Sequence, residues 1–391
     1  MTIHTVKPGD TVFKIARMHG TSPMKIVEDN GLTNPDRLTV GEELLIIKPT
    51  RTYTVRGSDT LAKIAERFSV TTDSLLRKNP YLSGTDKIYP GEILSIKHDA
   101  PPFSIACANG YFYKGCCEDR LSLALPYLTY LTVANGKRED GNIELLFNDE
   151  KIVRCARERR IFPLMRIYDK GNDFSDKYID EIISLAQERG YSGITLAPYR
   201  AMKEKRKELE EFLMKLKRRT LAEDMLLFLE VDANNSSQIK DVCDGYLLMY
   251  EKGHLENVPS FDMGERAATM DFIKECEPSR TYLELPSTAF MKNCELGYEP
   301  LLREEAIETA IASGKEILLD DSNGYLYYDF NRYKAGKKSP TRVTFESLKN
   351  AKAKLELINE LGLMGITFDI MRVPIQHLMM FETMFTKPTL I

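Results

Sequence analysis

His4-Thr5-Val6-Lys7-Pro8-Gly9-Asp10-Thr11-Val12 returns in altered form as Tyr53-Thr54-Val55-Arg56-Gly57-Ser58-Asp59-Thr60-Leu61. The likeness continues outward. Ile15-Ala16 matches Ile64-Ala65, Asn30 matches Asn79, and Gly41-Glu42 matches Gly91-Glu92. Each copy closes on an apolar run, Leu44-Leu45-Ile46-Ile47 or Ile93-Leu94-Ser95-Ile96. Self-similarity over a whole unit marks a tandem pair of one small structural module. In each copy the Asp-Thr step suits a helix N-cap. Ile15, Ala16 and Met18, like Leu61, Ile64, Ala65 and Phe68, then supply an apolar stripe at helical spacing. Thr21-Ser22-Pro23 opens a second helix, with proline early, where its missing N–H matters little. The expected unit is strand, helix, helix, strand, at 1–48 and again at 52–97. The flanking stretches Lys48-Pro49-Thr50-Arg51 and His98-Asp99-Ala100-Pro101-Pro102 read as linkers.

From Phe103 the pattern changes to apolar strand-like runs alternating with amphipathic helices, the signature of an α/β fold with a parallel sheet. Strands are expected at 103–110, 128–134, 161–168, 193–198, 225–231, 244–250, 280–286 and 364–370. Helices are expected at 150–159, 176–189, 202–219, 264–275, 302–313 and 345–361. Eight such strands predict a (β/α)8 TIM barrel over 103–391. Residues 290–345 read as an insertion with extra strands before the last of these helices.

The composition, 43% hydrophobic and 29% charged, is that of a folded chain. A net charge of -4 supplies no basic footprint for nucleic acid. No apolar run is long enough for membrane insertion. The opening Met1-Thr2-Ile3-His4-Thr5-Val6 shows no signal peptide, which predicts cytoplasmic synthesis. The seven cysteines are odd in number and lack redox or zinc spacing, so reduced thiols are expected. Five scattered histidines give no metal motif, and neither metal nor cofactor is expected.

The repeated pattern of an opening [YH]-T-V, a G-D-T, an I-A pair, a mid-module Asn and a late G-x-x-L resembles the LysM family. The second copy departs from it at Gly57-Ser58-Asp59. The resemblance implies binding of peptidoglycan or a chitin-like oligosaccharide containing N-acetylglucosamine. Most motif residues build the small fold. The two loops facing each other across the module are the candidates for contact: Gly9, Asp10 and Thr11 with Leu32 and Asn34, then Asp59 and Thr60 with Tyr81 and Leu82. Backbone amides and carbonyls there can pair with an acetamido group while an apolar side chain packs on the sugar face.

The segments Tyr127-Leu128-Thr129-Tyr130-Leu131, Gly190-Tyr191-Ser192-Gly193-Ile194, Asp244 to Met249, Leu285-Pro286, Phe345-Glu346 and Gly362-Leu363-Met364-Gly365-Ile366 occur in that order. Together, behind the tandem modules, they resemble the family-18 glycoside hydrolases, in the branch that acts on spore cortex peptidoglycan. That resemblance implies D-G-x-x-x-D-x-E on strand four, whose Glu protonates the leaving oxygen while the preceding Asp orients the substrate's own acetamido nucleophile. Here Ser192, Ala197 and Tyr199 stand at those acidic positions, and Asp369 stands where the family closes its sugar site with tryptophan. Strand six, Met249-Tyr250-Glu251, is one residue shorter than the family's pattern. A tyrosine is a poor acid at neutral pH, and losing a general acid typically lowers the rate by about 10²–10⁴. The expected protein is therefore a glycan binder with an inactive chitinase-like barrel. The rival is an active N-acetylglucosaminidase whose acids have moved to Glu230, Glu251, Glu284 or Asp369. A third reading gives the barrel mouth to a protein partner. The resemblance further implies synthesis in a mother cell, deposition on the spore coat or cortex, and coat or cortex proteins as partners.

Overall fold

The computed structural model describes residues 1–85, 87–138, 141–171, 174–198, 204–232, 242–249, 277–285, 287, 289–293, 297–334 and 337–388. The first unit runs β1 (Thr2–Thr5), α1 (Val12–His19), α2 (Pro23–Asn30) and β2 (Glu43–Ile46), with β1 and β2 antiparallel. The second repeats it as β3 (Arg51–Thr54), α3 (Leu61–Arg67), α4 (Thr72–Lys78) and β4 (Ile93–Lys97). Thr11 and Thr60 cap α1 and α3 by accepting from Lys14 N and Lys63 N, both at 3.2 Å. Ser22 caps α2, with Pro23 in its first turn.

A single buried asparagine closes each unit. Asn30 Nδ2 donates to the carbonyls of Ile26 and Leu45, both at 2.8 Å, and its Oδ1 accepts from Leu45 N at 2.7 Å. Asn79 does the same with Leu75 O, Ser95 O and Ser95 N, each at 2.8 Å. The side chain thereby ties the second helix to the last strand and satisfies buried backbone groups that would otherwise be orphaned. The apolar stripe differs from expectation at one place. Val12, Ile15 and Ala16 are buried, whereas Met18 is 66% exposed, because its position turns away from the strands. Arg51 already belongs to β3, and His98 plugs an interior site despite its linker-like setting.

The barrel follows as β5 (Cys107–Tyr113), α5 (Glu118–Ala124), β6 (Tyr130–Arg138), β7 (Glu144–Leu145), α6 (Glu150–Glu158), β8 (Phe162–Asp169), α7 (Asp176–Glu188), β9 (Gly193–Ala197), α8 (Arg206–Ala222), β10 (Leu226–Asp232), β11 (Gly245–Met249) and β12 (Thr281–Glu284). An insertion interrupts it: β13 (Ala289–Asn293), β14 (Gly297–Leu301), α9 (Arg303–Ser313), β15 (Leu318–Asp320), β16 (Tyr325–Lys334) and β17 (Lys337–Glu346). The chain then completes α10 (Leu348–Glu360), β18 (Gly365–Asp369) and α11 (Ile375–Met384). Eight strands, β5-β6-β8-β9-β10-β11-β12-β18, close through parallel pairing of β18 with β5, and β7 adds an antiparallel edge to β6. The first strand lies a few residues later than its apolar run suggested, and α11 was not foreseen. The helix expected at 264–275 falls outside the described residues. No described helix is long and apolar enough to cross a membrane.

Strand residues alternate between lumen and helix layer, so the barrel fills in layers. Cys107, Phe228, Leu247 and Tyr282 pack the lower lumen with Tyr130, whose ring lies 5.0 Å from that of Phe228. Above them Asn109 donates to Thr367 Oγ1 at 2.9 Å and accepts from Thr132 Oγ1 at 2.8 Å, all three fully buried. The insertion forms its own antiparallel sheet, ordered β14-β13-β17-β16-β15, with α9 packed on it through Ala306 and Ala310.

The first unit is sewn to that insertion. Ile317 N donates to Val40 O at 2.8 Å and Thr39 Oγ1 donates to Lys315 O at 2.9 Å. Gly41, at φ 86°, leaves no room for a side chain, since a Cβ there would meet Ile317 O at 1.8 Å. The second unit docks on the barrel through Arg77 and Lys78, both paired with Glu382 of α11, and through Tyr127, whose hydroxyl donates to Arg77 O at 2.8 Å.

Candidate functional site

The barrel mouth is built from the last inward residues of each strand. On β10 Glu230 is fully buried. Arg166, reaching across from β8, holds it through two guanidinium nitrogens, with Nη2 at 2.8 Å from Oε2. Tyr111, on β5, donates its hydroxyl to Glu230 Oε1 at 2.9 Å. Glu230 thus sits in a buried ion pair with Arg166, with the Tyr111 hydroxyl as a further donor.

Two residues on, Tyr113 serves a second described rim acid, Asp369. Its hydroxyl donates to Asp369 Oδ2 at 3.1 Å. Met371 N donates to Asp369 Oδ1 at 2.8 Å, and Arg372 Nε lies 3.6 Å from Oδ2. Burial pushes the Asp369 carboxyl above its usual range, opposed by the Arg372 charge and these hydrogen bonds. Glu284, at the end of β12, is buried and has interactions of its own. Ala197 ends β9 opposite Tyr168 of β8, fully buried and without a functional group. Ser192 lies below β9, at the end remote from the mouth, its N–H bonded to Pro163 O at 2.8 Å. Tyr199 and Glu251 lie outside the described residues.

The two tyrosines and Arg166 were missed by the sequence reading. The signal was present: Tyr111 and Tyr113 share one face of a strand, and Arg166 interrupts an apolar strand on its inward face. An inward arginine in a barrel requires a carboxylate partner.

In the tandem units the candidate loops have structural duties. Asp10 accepts from Lys7 N at 2.9 Å and lies 3.0 Å from His4 Nε2. Asp59 likewise accepts from Arg56 N at 2.8 Å and from Tyr53 Oη at 2.7 Å. These bonds hold both carboxyls below their ordinary range. Gly9 O and Ser58 O accept from Lys14 Nζ and Lys63 Nζ at 2.7 and 3.1 Å. Thr11 and Thr60 are occupied as caps, as described. Leu32 and Asn34 belong to the loop that faces α9, where neighbouring Thr33 donates to Glu308 Oε1 at 3.0 Å. In the second unit Leu82 is buried in the module core, so its side chain offers no surface to a sugar. Tyr81 is half-buried against α2, among the charges of Glu28, Glu92 and Asp29.

The LysM domain family matches residues 4–46 and 53–97. Over nearly the whole molecule the fold superposes on the spore cortex-lytic enzyme SleL of Bacillus megaterium, with a TM-score of 0.75, 21% identity and 99% of each chain covered. The chain carries two LysM domains ahead of a chitinase-like barrel. A chitinase from Chromobacterium violaceum shares the barrel fold at a TM-score of 0.60 and 14% identity, covering 71% of this chain and 98% of its own. By sequence, the chain is 24% identical to the candidate sporulation-specific glycosylase YdhD of Bacillus subtilis, over 94% of each. The LysM pair is 37% identical over 109 residues to the cell wall-binding protein YocH of Bacillus subtilis, covering 27% of this chain and 37% of that protein.

Proposed function

We propose that this protein binds N-acetylglucosamine-containing glycan, peptidoglycan in the first instance, through its LysM pair, and that its barrel does not hydrolyse that glycan. The observation that carries the second half is the end of β9. Ala197 offers no charge where an acetamido-assisted mechanism needs an orienting acid. Two of the described acids nearby are committed elsewhere: Glu230 to Arg166 and Tyr111, and Asp369 to Tyr113 and a backbone N–H. The first half is supported by the LysM match in both copies and by the cell wall-binding relative. Likeness to proteins named for the spore cortex and for sporulation supports association with a spore envelope, with coat or cortex proteins as neighbours.

Two linked weak sites on one polymer gain avidity by effective concentration, about 10²-fold or more. The full chain should therefore sediment with insoluble peptidoglycan and with chitin. Full recovery in both supernatants ends the binding half of the reading. The catalytic half is tested on a fluorogenic chitobioside and on spore-cortex fragments beside an active cortex-lytic enzyme. No turnover is expected. A rate within about tenfold of the active enzyme overturns the inactive-barrel reading and directs attention to Glu230, Glu284, Glu251 and Asp369.

A further inference from the structure

The loop between α2 and β2 and the helix α9 enclose a cavity of about 380 Å³. That volume is in the range of sites that hold small ligands. Gly9, Asp10 and Thr11 do not line it, so it is a different place from the groove between the first module's own loops. It exists only because the insertion is packed against that module.

Arg303, the first residue of α9, lines this cavity while only 3% exposed. Its Nη1 donates to Glu346 O at 2.5 Å, and the guanidinium lies over the Phe345 ring at 5.1 Å. Its Nε and Nη2 have no hydrogen-bond partner among the described residues. Leaving a buried donor unmade typically costs about 1–3 kcal/mol, more for a charged group. Two such donors in a cavity wall therefore point to an acceptor brought by a ligand. Glu304 adds the complementary feature: Oε1 takes Arg120 Nη2 at 3.4 Å, and Oε2 is buried with no hydrogen-bond partner among the described residues.

Leu32, Leu38, Ile307 and Ile311 supply an apolar part of the wall, Gln376 lines it with its Nε2 donating to Asn30 O at 2.9 Å, and the exposed Thr33 and Asn34 stand at its edge. The two unmade partners ask for opposite things, since Arg303 needs an acceptor and Glu304 Oε2 needs a donor. Glu304 and Glu308 line the cavity with Arg303 and Arg37, while burial pushes Glu42 up to about 7, and a carboxylate or phosphate would serve Arg303 but offer no donor to Glu304. A neutral group with one acceptor, one donor and a small apolar end satisfies every feature. A secondary amide ending in a methyl group is such a group.

We propose that the cavity between the first LysM module and α9 binds the acetamido group of an N-acetylated hexosamine. The carbonyl lies on the two free N–H groups of Arg303, the amide N–H on Glu304, and the methyl against Leu32, Leu38, Ile307 and Ile311. The sugar hydroxyls meet the polar rim. The inference goes beyond the module-loop reading above, with which it shares the class of ligand and the loop that bears Leu32 and Asn34.

Isothermal titration of the full chain with tri-N-acetylchitotriose, cellotriose and N-acetylalanine amide tests it. Two variants accompany the wild type: Arg303→Lys, which removes the fork, and Ile311→Trp, which fills the space from a half-buried position and leaves the arginine in place. The expected result is binding of the acetylated trimer only, with one equivalent fewer in both variants. Retention on insoluble peptidoglycan should persist in both variants, through the module loops. If Ile311→Trp binds the trimer with wild-type stoichiometry, the cavity is not the site, while the module-loop reading survives. Equal binding of cellotriose or of the capped amino acid overturns the acetamido assignment. No trimer binding at all by a chain that still sediments with peptidoglycan overturns the cavity alone. Loss of both overturns the two readings together.

Discussion

The two LysM modules carry the same internal fastenings and share α11 as a neighbour, yet the corresponding turns at Gly41 and Gly91 meet different surroundings. Asn30 and Asn79 make matching sets of hydrogen bonds, and Asp10 and Asp59 pin matching turns. Yet Gly41 is pressed against Ile317 of the insertion, while Gly91, at the equivalent turn with φ 96°, has nothing within reach. Glu42 is buried beside α9, and its partner in the repeat, Glu92, sits half-buried near the first module's α2. A repeated motif thus records what a module needs in order to fold. What each copy then touches is written in the residues between the motif positions.

If the internal fastenings are equivalent, Asn30→Ala and Asn79→Ala should be equally damaging, at about 3 kcal/mol each, since each orphans three buried backbone groups. Denaturant unfolding checks the size. Hydrogen exchange at Leu45 and Ser95, whose amides lose their acceptor, checks the place. A large difference between the two would break the equivalence.

The outer neighbours should separate the copies. Gly91→Ala meets only the strain of a positive φ, about 1 kcal/mol. Gly41→Ala meets that strain and a backbone oxygen, so it should cost about 2–3 kcal/mol and pry the first module from the insertion. Enhanced proteolysis at the contact around Ile317 in the first variant alone is the expected sign.

A pH difference follows from the same asymmetry. Burial pushes Glu28 and Glu42, both in the first module, up to about 7, and Asp29 beside Lys25 up to about 6. A carboxyl whose folded pKa is raised favours folding while it holds its proton. That stability is present near pH 4 and is lost as pH rises through the folded value near 7. The first module's packing should therefore weaken between about pH 5 and 8, and Glu28→Gln with Glu42→Gln should flatten that limb. The lowered carboxyls Asp10 and Asp59 act in the opposite sense, present above their unfolded value and lost as acid protonates them, and they do so in both modules alike. Thermal melts across pH 3–8 separate the two effects.

The smallest effect is at Met18. Its exposed side chain contributes little, so Met18→Lys should change stability by less than about 0.5 kcal/mol, whereas Ile15→Ala on the buried face of the same helix should cost about 2–5 kcal/mol.

The strand positions of the barrel were legible because both faces of a parallel strand are buried and leave a continuous apolar run. The runs at 161–168 and 193–198 became β8 and β9 within a residue. Helix α11 was less so: it is buried on almost every side, through Leu378, Met379, Met380 and Phe381, and so shows no polar face to mark its period. Of the candidate site, the place of Ala197 at the end of β9 could be read directly, since it closes an apolar run. The state of Glu230 could not, because its meaning depends on Arg166, sixty-four positions away in the chain.

By itself the sequence determined the two LysM units, with their caps and asparagine ties, and the alternating order that closes a barrel. Those features rest on contacts within a few residues or within one repeat, where spacing alone fixes which groups meet. Only the tertiary structure decided which outward residues were spent on docking, that Leu82 faces inward, that Glu230 pairs with Arg166, and that Arg303 is buried beside Leu32 and Asn34 with two nitrogens unpartnered among the described residues. Burying a charge or an N–H is tolerable only where a partner arrives, and each of those partners comes from a distant part of the chain.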